Sequence, residues 1–350
     1  MIRTWTLLRM NGLLKSHPSA VPLPDAALDG RGGDVGAPSL SRIVDARLIA
    51  SALVFSLVLG LLAAFAPSFF RLNNLVNILV QTSTLAILAI GMSFVMIGGG
   101  IDLSMPANMA MSAVLGALYM RVGHDPVTGS AIMIVSGATI GALNGVAVAY
   151  LRMIPFVVTL ATMTIAKGAC IWLTNSVSIA GLPESFGDVL LARPLGIPVA
   201  VLATIALTLL ASTALSFTVI GRWLYAIGVN ERAARVARVP IERVTAMSYV
   251  AAGLSAGVTA VLLAARLDSA SANMGNDGVV LDIVSACVVG GISIYGGIGR
   301  AYGAVLGALF ITIVSNGLNL MGVSFYLSLI VKGIVIIGYV ALDGLSGKAR

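Results

Sequence analysis

Two stretches of this chain, Leu75 to Ile97 and Leu103 to Met120, contain no charged residue at all. A hydrocarbon core of about 30 Å is crossed by roughly 20 helical residues, so each run is close to one membrane passage. Runs of that kind recur near 47–66, 74–98, 104–121, 129–150, 154–174, 196–216, 245–265, 279–296, 301–320 and 326–342. Backbone polar groups in lipid must be bonded within their own segment, so the runs are expected to be helices. The alternating pattern of a membrane barrel is absent. Composition agrees: 58% of the residues are hydrophobic and 10% charged, where a soluble domain carries about 25% charge. The expected fold is all-α, a polytopic membrane helix bundle of about ten transmembrane helices, with a break near Gly99–Ser104.

The net charge of +7 does not point to nucleic acid, because the basic residues lie between apolar runs. That placement orients a membrane protein. With the N-terminus inside and ten crossings, the inside receives the tail, Arg152, the loop from Arg222 to Arg243, Arg300, Lys348 and Arg350. The outside receives Arg71, Arg121, Arg193 and Arg266, a bias of about fifteen to four, with Lys167 and Lys332 inside helices. Both termini are therefore expected to be cytoplasmic. Residues 1–45, rich in Pro, Gly, Ala and Asp, read as a disordered tail, and 46–345 as the transmembrane domain. Cys170 and Cys287 fall in apolar runs and read as buried thiols. His17 and His124 lie far apart, nothing has metal-ligand spacing, and no cofactor is called for.

Asp102 is the conspicuous acid. It sits in IGGGIDLSMP, 97–106, between the two uncharged runs. An ionised Asp at a helix centre costs about 2.5–3.5 kcal/mol on insertion scales. The sequence offers relief: Gly98 to Gly100 end one helix, Asp102 or Ser104 caps the next, and Pro106 fits its first turn. Three readings stay open: a cap at a helix break, a group facing a water-filled path, and a proton carrier. A second glycine-rich interruption, GGISIYGGIG, covers 290–299. Paired breaks can mark a transport site, but the offsets of these two do not match, so no internal repeat follows.

The longest inside loop is GRWLYAIGVNERAARVARVPIERV, 221–244. Asn230 is a plausible N-cap, Glu231 suits the first turn, and Pro240 stops the helix. The expectation is a short amphipathic helix with Arg232, Arg235 and Arg238 among its exposed groups. It reads either as a solvated positive loop or as a docking element. Small Ala233 and Ala234 allow a partner to approach closely, between charges that fix register.

Five ordered segments carry a family resemblance. The loop resembles the GRxxYAxGxNxxAAxxxGI segment of ribose-type permeases of bacterial ABC sugar importers. The stretch around Asp102 resembles their GGIDLSVG. NGVAVAYLRMIPFVVTLATM (144–163), SACVVGGISIYGGIGRAYGAVLGALF (285–310) and NGLNLMGVSFYLSLIVKGIVI (316–336) are similar to further segments, so the match spans about 68 to 343. Four places depart from the pattern, one of them the loop from Arg266 to Asp282, which is one residue longer than usual. Arg238 stands where the family usually has Gly, Val280 where it has an acid, and Met105-Pro106-Ala107 replaces Val-Gly-Ser.

The resemblance implies a permease subunit in a bacterial inner membrane, paired with a second permease copy. It implies a cytoplasmic ABC ATPase docked on Gly221, Arg222, Tyr225, Gly228, Asn230, Glu231, Ala233, Ala234 and Arg235. It also implies an external sugar-binding protein that delivers a monosaccharide. The residues agree with this division of labour. The chain has no GxxxxGK[ST] phosphate loop and no constellation for bond-breaking chemistry, so energy comes from a partner or an ion gradient. Neutral hydrogen-bonding candidates for the path are Ser104, Asn108, Asn144, Thr159, Thr162, Asn316 and Asn319, beside Asp102; each also reads as an interhelical tie. Gly137, Gly141 and Gly145, spaced by four, read as close helix contacts, and the methionines as packing. Two rivals remain: a secondary transporter with Asp102 as proton carrier, and an amino-acid permease. For the latter the sequence displays no extra buried charge pair in the path to meet a zwitterion.

Overall fold

The computed structural model describes residues 64–324 throughout, with shorter stretches between 55 and 62 and between 326 and 338. The expected tail, 1–45, lies outside the described residues, as do parts of the outermost two spans. The rest is a helical bundle. Its helices are α1 Leu72–Ile97, α2 Met105–Arg121, α3 Pro126–Ala149, α4 Pro155–Thr174, α5 Glu184–Leu190, α6 Val199–Phe217, α7 Val219–Val229, α8 Glu231–Val236, α9 Ile241–Leu267, α10 Asp277–Val289 and α11 Ala301–Leu320. Six of them, α1, α3, α4, α6, α9 and α11, are long and apolar enough to cross a membrane.

Proline and polar caps set the helix ends. α3 begins on Pro126, and the Asp125 side chain accepts the Thr128 amide at 2.9 Å. α4 begins on Pro155 and stops where Asn175 turns left-handed; α9 stops likewise at Asp268. The expected span at 279–296 is corrected. Its helix, α10, ends at Val289 after 13 residues, and Gly291, Gly296, Gly297 and Gly299 have positive φ. A right-handed helix cannot run through such a series, so the segment is a short helix followed by a loop.

α9 is the central post. The expected glycine contact is present: α3 lies antiparallel on α9, Gly137 against Gly253 and Gly257, Gly141 against Tyr249 and Gly253, Gly145 against Ala246. A methyl on Gly141 would stand 2.4 Å from the Tyr249 carbonyl oxygen, so only hydrogen at these positions allows this backbone approach. On its other side α9 takes α1, antiparallel, with Gly91 against Ala252 and Ser255. Methionines 92, 96, 105, 109, 120 and 133 are fully buried among these helices and fill the irregular gaps as unbranched side chains do. Cys170 and Cys287 are free and buried. The peripheral helices α4 and α6 expose large apolar side chains, such as Ile165 and Trp172 on α4 and Leu209 and Leu210 on α6.

The antiparallel order gives the bundle two ends. One gathers the α1–α2 break, the α3–α4 turn, the 221–244 segment and the 290–300 loop. The other gathers the start of α1, the turns at 122–125 and 175–198, and the end of α9. At that second end Ile179–Ala180 pairs antiparallel with Ser269–Ala270, the one two-residue strand pair among the described residues.

Candidate functional site

The two glycine-rich interruptions meet. The Gly297 amide donates to the Ile97 carbonyl at 2.8 Å, joining the 290s loop to the end of α1. Gly296 lies against Gly99, and Gly228 of α7 packs into the same point. A Cβ on Gly228 would fall 1.9 Å from the Ile97 oxygen and 2.4 Å from the Gly297 nitrogen. The Tyr225 hydroxyl, one turn earlier on α7, donates to the Gly299 carbonyl at 2.7 Å. Three segments distant in sequence are thus fastened backbone to backbone, and mismatched offsets in the sequence did not prevent the convergence.

Asp102 lies just beyond this junction, 1% exposed. Its Oδ1 accepts the Ser104 amide at 2.9 Å and the Ser104 hydroxyl at 2.6 Å. Asn144 Nδ2 donates to Ser104 Oγ at 2.8 Å, and the Thr162 hydroxyl donates to Asn144 Oδ1 at 2.6 Å. Four of the sequence candidates therefore form one relay from α4 through α3 to the break. The expectation that Asp102 or Ser104 caps α2 is corrected: α2 has Pro106 in its first turn and no side-chain cap. The reason is local competition. Asp102 closes a turn on its own i+2 amide, and the Ser104 hydroxyl is engaged by Asp102 and Asn144. Asp102 Oδ2 and the Tyr249 hydroxyl are buried without a hydrogen-bond partner.

The other path candidates are dispersed. Asn108 donates to the Gly137 carbonyl at 3.0 Å and accepts from Ser112 at 3.3 Å, tying α2 to α3. Thr159 bonds back to the Pro155 carbonyl of its own helix at 3.0 Å. Asn316 is at the opposite end, in a reciprocal amide pair with Asn74 at 3.0 and 3.1 Å. Asn319 is exposed at that same end.

The 221–244 segment folds as expected. Gly221 allows the tight α6–α7 corner, its Cβ position being 2.2 Å from the Leu215 carbonyl oxygen. Asn230 caps α8, its side chain accepting the Ala233 amide at 3.1 Å. Ala234 is buried beneath α8, while Arg222, Glu231, Arg232, Ala233, Arg235 and Arg238 are exposed. Arg235 is clasped on both sides, to Glu231 at 2.9 Å and to Glu242 of α9 at 3.0 Å. The hydrogen bonds it donates to these carboxylates, Glu231 first, hold the guanidinium above its ordinary pKa. Arg238 has φ +58, a backbone state that glycine adopts freely, which gives the family's glycine there a physical reason.

A cavity of about 310 Å³ lies between α8 and the break, lined among others by Gly98 to Gly100, Arg152, Arg235, Glu242 and Tyr249. Sequence reading missed Tyr249 and Glu242. Tyr249 sits in an apolar run with no motif around it, whereas Glu242 follows Arg235 by seven residues across the Pro240 turn, a spacing no helix rule flags. It also missed a charge pair: Lys332 Nζ reaches both oxygens of Asp282, each at 3.0 Å, with both side chains largely buried. The partners are fifty residues apart, so no local spacing rule reports them.

The chain is 37% identical over 297 residues to the ribose import permease protein RbsC of Escherichia coli (strain K12), covering 84% of this chain and 92% of that one. It is 39% identical over 279 residues to RbsC of Bacillus subtilis (strain 168), covering 79% and 86%. To the D-allose transport system permease protein AlsC of Escherichia coli (strain K12) it is 32% identical over 297 residues, covering 84% and 91%. No solved structure matches. Residues 74–340 match the family model described as branched-chain amino acid transport system / permease component, and with that the chain belongs to this family of multi-pass membrane permeases.

Proposed function

We propose that the chain is the membrane subunit of an ATP-driven importer for a monosaccharide of the ribose, allose or arabinose kind. The carrying observation is the similarity, over 84% to 94% of the chain, to permeases named for those sugars. The bundle end that carries α8 is the cytoplasmic one. Seven described arginines lie there (152, 222, 232, 235, 238, 243, 300) against four at the other end (71, 121, 193, 266), the sense of the positive-inside rule. In this reading both termini belong on that same side.

In this reading a cytoplasmic ATPase seats on the exposed ridge of α7 and α8. Force on α8 passes to α9 through the Arg235 clasp and to both breaks through Gly228. Solute delivered by an external binding protein passes between this subunit and a second permease copy. The Thr162–Asn144–Ser104–Asp102 relay holds the break in register while the bundle rocks. The test is charge reversal at Glu231 or Arg235. ATPase association and sugar uptake should fall while the purified bundle keeps its melting temperature. Full uptake with unchanged association would remove α8 from this role.

The family description favours a second reading, import of an amino acid. The two readings separate on substrate. Vesicles containing the complete transporter should accumulate a labelled pentose or hexose and leave leucine outside. A proton-coupled carrier, with Asp102 as the carrier group, separates on energy source: uptake should stop with vanadate and persist with a protonophore.

A further inference from the structure

At the end of the bundle opposite α8 a second cavity, of about 340 Å³, opens between α1, α6 and α9. Its polar wall is Asn73, Asn77, Arg193 and Arg266; its apolar wall includes Val76, Val80 and Leu262. Arg266 donates to Asn77 Oδ1 at 3.1 Å, which fixes its guanidinium over the cavity. No carboxylate lines the cavity, and neither arginine takes part in an ion pair among the described residues. Two arginines lining one cavity that has no acid offer an anion charge-assisted hydrogen-bond donors from two sides.

The setting narrows the kind of anion. Arg266 and Asn73 stand at the ends of spanning helices, α9 and α1, where lipid headgroups lie. Ala200 and Leu262, on its apolar side, pack with Ile87 into a buried cluster. The turn that carries Arg193 projects Leu191, Leu195 and Ile197, and Leu195 is 100% exposed. Apolar side chains beside a cation suit the acyl boundary of a bilayer, and arginine pairs with phosphate through charge-assisted hydrogen bonds. We propose that this cavity is a binding site for an anionic phospholipid, its phosphate between Arg193 and Arg266 and its chains leaving past Leu191 and Leu195. The inference is independent of the transported solute and of which end faces the cytoplasm.

The test uses the full-length chain in neutral detergent, titrated with phosphatidylglycerol, with phosphatidylcholine, or with sodium phosphate, and read by native mass spectrometry and thermal melting. Phosphatidylglycerol should be retained and should raise the melting temperature, while phosphatidylcholine and sodium phosphate should do neither. Arg193→Glu, at an exposed position, should lower phosphatidylglycerol affinity at least tenfold with an unchanged melt in detergent alone, and Arg193→Lys should restore most of it. Equal protection by phosphatidylcholine, equal protection by sodium phosphate, or undiminished phosphatidylglycerol retention in Arg193→Glu would each overturn the assignment.

Discussion

Gly228→Ala tests whether the two breaks are fastened as described. The added methyl would lie 1.9 Å from the Ile97 oxygen and 2.4 Å from the Gly297 nitrogen, atoms that are themselves bonded at 2.8 Å. It therefore occupies the space of that hydrogen bond, and no rotamer change relieves it, since both neighbours are backbone. Moving the oxygen out to 3.0 Å, the near limit of real methyl contacts, parts α7 from the end of α1. Losing the bond with its groups still buried costs about 1–3 kcal/mol, and overpacking adds about 1–3 kcal/mol. Alanine's better helix propensity returns about 1 kcal/mol. The net loss is about 1–5 kcal/mol. Thermal melting of the purified protein reads it, with Gly168→Ala as the control: Gly168 is in α4 with nothing within 4 Å of its Cβ position, so that variant should melt at or above the wild-type temperature. Uptake by the assembled transporter should fall in Gly228→Ala and not in Gly168→Ala. A Gly228→Ala protein that melts with the wild type and transports normally would refute the junction.

Further outcomes follow from single contacts. Arg238→Gly should raise the melting temperature slightly, because the left-handed backbone at φ +58 costs a residue with a Cβ about 1–2 kcal/mol, part of which glycine loses again to unfolded-chain freedom. Asn74→Leu and Asn316→Leu should each destabilise, and a double-mutant cycle should give a coupling of about 0.6 kcal/mol and at most about 1.7 kcal/mol; zero coupling would dissolve the reciprocal amide pair. The Thr128 backbone amide holds Asp125 below its ordinary pKa. Its contribution is therefore complete above the unfolded value of about 3.9 and is lost as pH falls through the lower folded value. Melting of Asp125→Asn against wild type should show a gap at neutral pH that closes in strong acid, and a gap constant with pH would contradict the cap.

What the sequence disclosed was local. Uncharged runs, Pro106 in the first turn of its helix, the Asn230 cap and the four-residue glycine spacing on α3 are all set by chemistry within a few residues, and the structure places each as read. The 279–296 run misled because its length and apolar composition outweighed the glycines from 290 onward, which turn the backbone to positive φ and end the helix at Val289. The relay from Thr162 to Asp102, the meeting of the breaks and the Lys332–Asp282 pair are products of packing between distant segments, and no spacing rule reports them. Asp102 shows the limit well: its turn was legible, yet its hydrogen bond went to a neighbouring amide rather than to a helix end.

The glycine ladder between α3 and α9 has a mechanical consequence. Backbones in contact along three successive turns leave no side-chain cushion through which the two helices could slide. They form a single plate, and any hinge in this molecule has to open along seams made of side chains, such as the boundary of α4, where the Thr162–Asn144 bond is a latch rather than a weld.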